Sequence, residues 1–218
     1  MHGKKILHKH RTVFSISAML GDMSTRERRH EKTRQVILSA AKRLLRKKGL
    51  DGFSLRGVAT ACDYSPAGLY EYFKSKEDLL ITIAKDIESD LRNALETGGS
   101  RDHSDALIEL GRRYISFAKS HPEDYLLIFT TFSSGRKKTD DLSPQSSAYM
   151  VLFNLVNQLT ESEVINVGRN ISIDEICYNY WILLHGHVMM QLTHLKDFQA
   201  DFEQAEIGFL NRFVDSIK

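Results

Sequence analysis

An all-α fold is what this sequence predicts, with about nine helices, and three observations carry the prediction. Only three prolines punctuate 218 residues. Apolar residues recur at the three-and-four spacing of a helix face, and no segment shows the strict alternation of a half-buried strand. Ser and Ser-x-x-acid signatures stand directly in front of the apolar runs, where helix caps belong.

Taken in order, the first helix spans Thr25–Lys48. Its predicted stripe is Val36, Ile37, Ala40, Ala41, Leu44 and Leu45, and Gly49 is its stop. Ser54 caps a short second helix with Leu55, Val58, Ala59 and Cys62. A turn at Asp63 and Tyr64 leads to Ser65, which caps a third helix with Pro66 at its first position, where the missing N–H costs nothing. Leu69 and Phe73, four apart, point into the core. Ser75 caps a long fourth helix whose buried face is Leu79, Leu80, Ile83, Ala84, Ile87, Leu91 and Leu95, ended by residues 97–100. A fifth helix covers residues 104–120 and a sixth residues 125–129. After a polar loop over 133–143, Ser143-Pro144 starts a seventh, ending near Thr160. Ser172 and Glu175 form a capping box for an eighth, running to about Leu195. The ninth covers about 199–217.

A chain of this length can bury a core without staples. Cys62 and Cys177 form no CxxC, so neither a disulfide framework nor a thiolate metal site is expected, and a reducing cytoplasm fits. No apolar run is long enough to span a bilayer. The net charge of +2 hides an asymmetry: residues 1–76 hold 17 Lys and Arg against 6 acids, and the other 142 residues hold 13 against 22. A basic front end on an acidic body suggests a polyanion partner. Residues 1–24 read as a basic, disordered arm or an over-called start, residues 25–75 as a basic helical domain that would meet the polyanion, and residues 76–218 as a second helical domain.

Three short helices, the second and third joined by a tight turn, match a helix-turn-helix. The stretch YSPAGLYEYFKSK then makes physical sense. Small residues at Pro66, Ala67 and Gly68 allow close approach to DNA and leave backbone N–H groups near phosphate. Tyr70 and Tyr72 offer hydroxyls on stiff side chains, Tyr72 at the surface and Tyr70 either there or over the small core. Lys74 and Lys76 add charge. Arg56 is the best candidate for a base edge or phosphate contact, with Ser54 and Thr33 as weaker phosphate candidates.

Residues 33–80, with FSLRGVATACDYSPAGLYEYFKSKEDLL at their end, resemble the DNA-binding domain of the tetracycline-repressor (TetR) family. Gly-Leu-Tyr followed by Tyr72-Phe73 and Lys74-Ser75-Lys76-Glu77 carries the resemblance. It implies an all-helical homodimer whose first three helices bind DNA and whose remaining helices form an effector pocket and a dimer seam. By position it implies DNA contacts at Ser54, Arg56, Ser65, Ala67, Gly68, Tyr70, Tyr72 and Lys76. Pro66 stands where members often carry a polar residue, so no base contact is assigned to it.

In the second half, Trp181-Ile-Leu-Leu-His185-Gly186 resembles the Trp-x-x-x-His-Gly pattern of a C-terminal domain in a subset of that family, and HPEDYLLIF at 121–129 fits the same subset. Trp181 and His185 are four apart on one helix face. Pocket candidates are Tyr114, Tyr125, Tyr149, Tyr178, Trp181 and His185; dimer candidates are Gly186, Phe202, Phe209 and Phe213. His185, His187 and His194 lack metal-ligand spacing, so no metal and no cofactor is expected. No nucleophile–base pairing or phosphate loop supports an enzyme. The expected function is a repressor that binds a near-palindromic DNA operator as a homodimer and is released by a small apolar or amphipathic effector, with no membrane partner. A DNA-binding protein without an effector fits the same residues.

Overall fold

Ser24 opens the first helix with a reciprocal cap. Its hydroxyl accepts the Glu27 N–H (3.3 Å), and the Glu27 carboxylate accepts the Ser24 N–H (2.7 Å). The computed structural model describes residues 24–96, 105–131, 147–165 and 171–218. Among them are nine α-helices and no strand. The arm at 1–23, the predicted stop at 97–100, the predicted start at Ser104 and the polar loop with Ser143-Pro144 lie outside the described residues. The chain divides into two compact units, Met1–Lys74 and Ser75–Lys218.

The first unit holds α1 (Thr25–Lys48), α2 (Leu55–Ala61) and α3 (Pro66–Leu69). Its core is Ile37, Leu38, Ala40, Ala41, Leu45, Phe53, Val58, Ala59, Leu69 and Phe73. The buried stripe of α1 keeps Ile37, Ala40, Ala41 and Leu45 as predicted, with Leu44 half-buried, but Val36 is exposed and Leu38 is buried in its place. The helix turns 100° per residue, and its stripe centres on Ile37, Ala41 and Leu45, which rotates Val36 to the rim. Gly49 ends α1, its N–H bonded to the Leu45 carbonyl at 2.8 Å. Its φ of 63° with ψ of −175° belongs to a region that only glycine enters readily. Gly49→Ala is therefore expected to destabilise this unit by about 1–3 kcal/mol, although a Cβ there would meet nothing within 4 Å. Chemical denaturation measures it, and an unchanged midpoint would contradict the backbone argument.

Ser54 caps α2 by accepting the Gly57 N–H (3.1 Å), and Ser65 caps α3 by accepting the Gly68 N–H (3.0 Å). Between them Asp63 takes a left-handed conformation, φ 58°, which aspartate tolerates better than most side chains. The Tyr64 N–H reaches back to the Ala59 carbonyl (2.9 Å) and tightens the turn.

The second unit holds α4 (Lys76–Glu96), α5 (Ala106–Ser120), α6 (Pro122–Leu126), α7 (Ala148–Glu161), α8 (Ile173–Leu192) and α9 (Phe202–Ser216). The Ser75 hydroxyl accepts the Asp78 N–H at 3.1 Å. The seven predicted residues of α4 form its buried face. The sixth helix starts earlier than predicted, at Pro122, because proline suits the first helical position, and it runs into a π-helical turn, Leu127–Thr131. Ser147 caps α7, accepting the Met150 N–H. Ser172 and Glu175 form the predicted capping box of α8, which ends at Leu192 rather than near Leu195. Asp201 caps α9.

Helix α5 packs against α4, α6, α7, α8 and α9. Gly111 lets it do so: a Cβ there would overlap the Tyr180 hydroxyl and approach Leu210 Cδ2 to 2.6 Å. The Tyr180 hydroxyl uses that space to donate to the Leu107 carbonyl at 2.7 Å.

Candidate nucleic-acid interface and a buried hydroxyl–imidazole cluster

Most of the predicted DNA-contact residues lie on α2, α3 and the segments that flank them, with Thr33 on α1 and Lys76 opening α4 of the second unit. Arg56 is exposed in the first turn of α2. Ser54, Ser65 and Ala67 are exposed, as are Tyr70, at 58 %, and Lys74. Thr33, Gly68 and Lys76 are half-buried.

Two details differ from the sequence reading. The Gly68 N–H is consumed by the Ser65 cap, as the Gly57 N–H is by Ser54, so neither is left for a phosphate. Glycine at 68 keeps that cap open, since a Cβ would sit 3.2 Å from the Ser65 hydroxyl. The two serine hydroxyls accept these bonds and keep their own protons to donate. Second, Tyr72 is half-buried rather than fully exposed. Its ring stacks on His30 of α1 (centroids 4.5 Å apart, planes at 25°), and Tyr64 meets it edge-on at 6.3 Å.

His30 is absent from the sequence-derived candidates. So is Tyr64, whose hydroxyl donates to Thr33 at 3.5 Å, and Arg34, whose guanidinium lies 5.0 Å above the Phe73 ring. The signal was present in part: His30 and Thr33 are three apart on one helix face, beside Arg34. Nothing local says which distant rings that face meets.

In the second unit, Tyr114 and Tyr125 are fully buried, and their hydroxyls lie 2.8 Å apart. The Tyr125 hydroxyl is 2.7 Å from His185 Nδ1, and the Tyr114 hydroxyl 3.3 Å from the same atom. Burial raises both phenols far above their ordinary range and lowers the His185 imidazole, so all three groups are neutral near pH 7. Both phenols gain an acceptor when Tyr114 donates to Tyr125, Tyr125 donates to Nδ1, and the imidazole proton sits on Nε2; that tautomer is assigned from the network. Trp181, the one tryptophan of the chain, packs against Tyr114 (5.2 Å), Tyr149 (5.6 Å) and Phe129 (6.4 Å). Phe129 closes the ring of contacts at 4.6 Å from His185 and 4.7 Å from Tyr125. Five of the six pocket candidates thus come together, and Phe129 joins them.

Tyr178 does not join them; it is 62 % exposed. The buried stripe of α8 is Ile176, Cys177, Tyr180, Leu184 and Val188, and Tyr178 projects from the opposite flank. There it lines up with Ile182, Gly186 and Met190, all exposed. A Cβ on Gly186 would meet nothing within 4 Å. The phenylalanines expected at a dimer seam are half-buried against α8 of their own chain: Phe213 lies 4.8 Å from Tyr180, and Phe209 and Phe202 lie 4.8 and 6.5 Å from His187.

His187 bonds the Glu206 carboxylate at 2.9 Å, and Lys119 and Gln191 share the same oxygen. Burial alone would raise this carboxyl, but the bonds from Lys119, His187 and Gln191 outweigh it and hold Glu206 below the usual range. The exposed His194 bonds Thr193. Among the described residues no three side chains are grouped to hold a metal ion. Burial raises both thiols, Cys177 to about 12, so neither is an activated nucleophile. No helix among the described residues is long and apolar enough to cross a membrane.

Two family models match the chain. One, described as bacterial regulatory proteins of the tetR family, covers residues 37–83. The other, described as tetracyclin repressor-like, C-terminal domain, covers residues 107–209. Solved structures share the fold. A protein of unknown function from Rhodococcus sp. RHA1 superposes with a TM-score of 0.71 at 21% identity, over 84% of this chain and 94% of that one. A TetR-family transcriptional regulator from Haemophilus influenzae RD gives 0.61 at 16%, over 89% and 99%. A bacterial regulatory protein of the tetR family from Rhodococcus RHA1 gives 0.61 at 16%, over 85% and 97%. At these identities the likeness is one of fold. No curated protein matches the chain.

Proposed function

We propose, starting from a chain that belongs to the tetR family of bacterial regulatory proteins, that it is a ligand-responsive repressor binding a near-palindromic DNA operator as a homodimer. One observation carries the DNA-binding part. Two capped helices joined by a tight turn display Arg56, Ala67 and Tyr70, with Tyr72 beside them, in the segment that holds most of the basic excess. Arg56 and Tyr70 meet bases or phosphates, Tyr72 and the serine hydroxyls meet phosphates, and Lys74 and Lys76 add charge nearby. Two copies would set their third helices about 34–36 Å apart, in successive major grooves.

Self-association is supported by α8. A helix apolar on all sides is ordinarily covered on all sides. Here Tyr178, Ile182 and Met190 form an exposed row with Gly186 between them. An isologous contact between two such rows buries both and lets the backbones approach at the glycines.

The effector part rests on the Tyr114–Tyr125–His185 cluster and its aromatic wall of Trp181, Phe129 and Tyr149. Such a wall with a few fixed polar groups suits a small apolar or amphipathic molecule. The ligand must bind the DNA-released conformation more tightly, or it shifts nothing. The same cluster supports placing the chain in the subset with the Trp-x-x-x-His-Gly pattern. A regulator of this kind works in the cytoplasm, where the DNA is.

The test is a titration of labelled duplex with the purified protein over a range of salt. The logarithm of affinity should fall linearly with the logarithm of salt, as counterions are released from neutralised phosphates. No binding at any salt would refute the reading. In the same assay Tyr72→Phe is expected to weaken binding roughly tenfold, the cost of one hydrogen bond to a charged group, with the melting temperature unchanged. Unaltered affinity would remove Tyr72 from the contacts.

A further inference from the structure

We propose that His30 is a positioning residue for Tyr72: the imidazole stack holds the phenol where its hydroxyl can meet a DNA phosphate. The proposal rests on the DNA-binding reading above. Helix α3 is only four residues long, and Tyr72 lies beyond its end. The backbone there is held by turn bonds, with the Tyr72 N–H on the Leu69 carbonyl at 3.0 Å. A surface tyrosine on such a turn has free rotamers to lose when it binds. Here the ring is fixed from two sides, face to face by His30 and edge-on by Tyr64.

The support comes from a rigid element. His30 and Thr33 stand one turn apart on α1, a helix of 24 residues, and Thr33 accepts the Tyr64 hydroxyl. One face of α1 therefore holds both rings. The Tyr72 hydroxyl itself has no partner among the described residues, so the ring is packed while its polar tip stays available. His30 is exposed and makes no other ring contact among the described residues, so its packing serves Tyr72 rather than the core. A side chain already held in its bound rotamer loses less entropy on association, which is how packing at one remove becomes affinity.

A double-mutant cycle on a mixed-sequence, fluorescein-labelled duplex tests this, because a phosphate contact is independent of sequence. The readouts are anisotropy-derived affinity, its salt slope and the melting temperature of each full-length variant. His30→Ala is expected to weaken binding about three- to tenfold, the range of an aromatic stack, with melting and salt slope unchanged. His30→Phe, which keeps a stacking ring and loses every polar atom, should bind as the unaltered protein does. In a Tyr72→Phe background, His30→Ala should add no further loss. Three results would overturn the proposal while leaving DNA binding in place: full affinity in His30→Ala, an equal loss in His30→Phe, which would make His30 a DNA contact in its own right, or strictly additive losses. Absence of binding by the unaltered protein at any salt would overturn this proposal together with the reading it rests on.

Discussion

Replacing Gly111 with alanine is expected to destabilise the second unit by about 2–4 kcal/mol. The position is the crossing point of α5, α8 and α9. The added Cβ would overlap the Tyr180 hydroxyl and crowd Leu210 and Leu184. Leu210 and Leu184 are fully buried and cannot yield without moving their helices. If Tyr180 yields instead, its hydroxyl leaves the Leu107 carbonyl and stays buried without an acceptor. Overpacking costs about 1–3 kcal/mol and a stranded buried donor about 1–3 more. The better helix propensity of alanine returns about 1 kcal/mol. Denaturant unfolding measures the net loss. The mechanism is checked by adding Tyr180→Phe, which removes the overlapped oxygen and should recover part of the loss. A Gly111→Ala protein as stable as the original would show that the crossing is looser than described.

Arg56→Ala should cost about 1–3 kcal/mol of DNA affinity per site, roughly five- to a hundredfold. The side chain is exposed, so the fold should survive. The capped first turn of α2 fixes the stem from which it reaches. The pattern of the loss identifies the contact. A uniform loss across sequences, with the salt slope reduced by about one, marks a phosphate. A loss confined to one operator position marks a base edge. Unchanged affinity and slope would remove Arg56 from the interface.

The amphipathic elements could be read directly from sequence. The α4 face was legible residue by residue because one side is apolar and the other polar. The caps at Ser54, Ser65, Ser75 and Ser172 were legible because capping is a local bond over three residues. Helix α8 was not. Ile, Leu, Tyr, Trp and Met surround it, so periodicity could not say which flank faces inward, and Tyr178 was placed with the pocket residues although it lies on the exposed row. The tyrosines of the cluster could be named singly, but the Tyr114–Tyr125–His185 chain joins three helices and exists only once they pack. His30 was missed for the same reason: its stack on Tyr72 is a tertiary contact between α1 and the turn after α3.

Selection of duplexes from a random pool at moderate salt tests sequence-specific DNA binding by a two-fold dimer most directly. The predicted result is an enriched near-palindrome with half-site centres about one helical turn apart, bound by an even number of subunits. A folded protein that enriches no sequence, or enriches one without two-fold symmetry, would contradict the account.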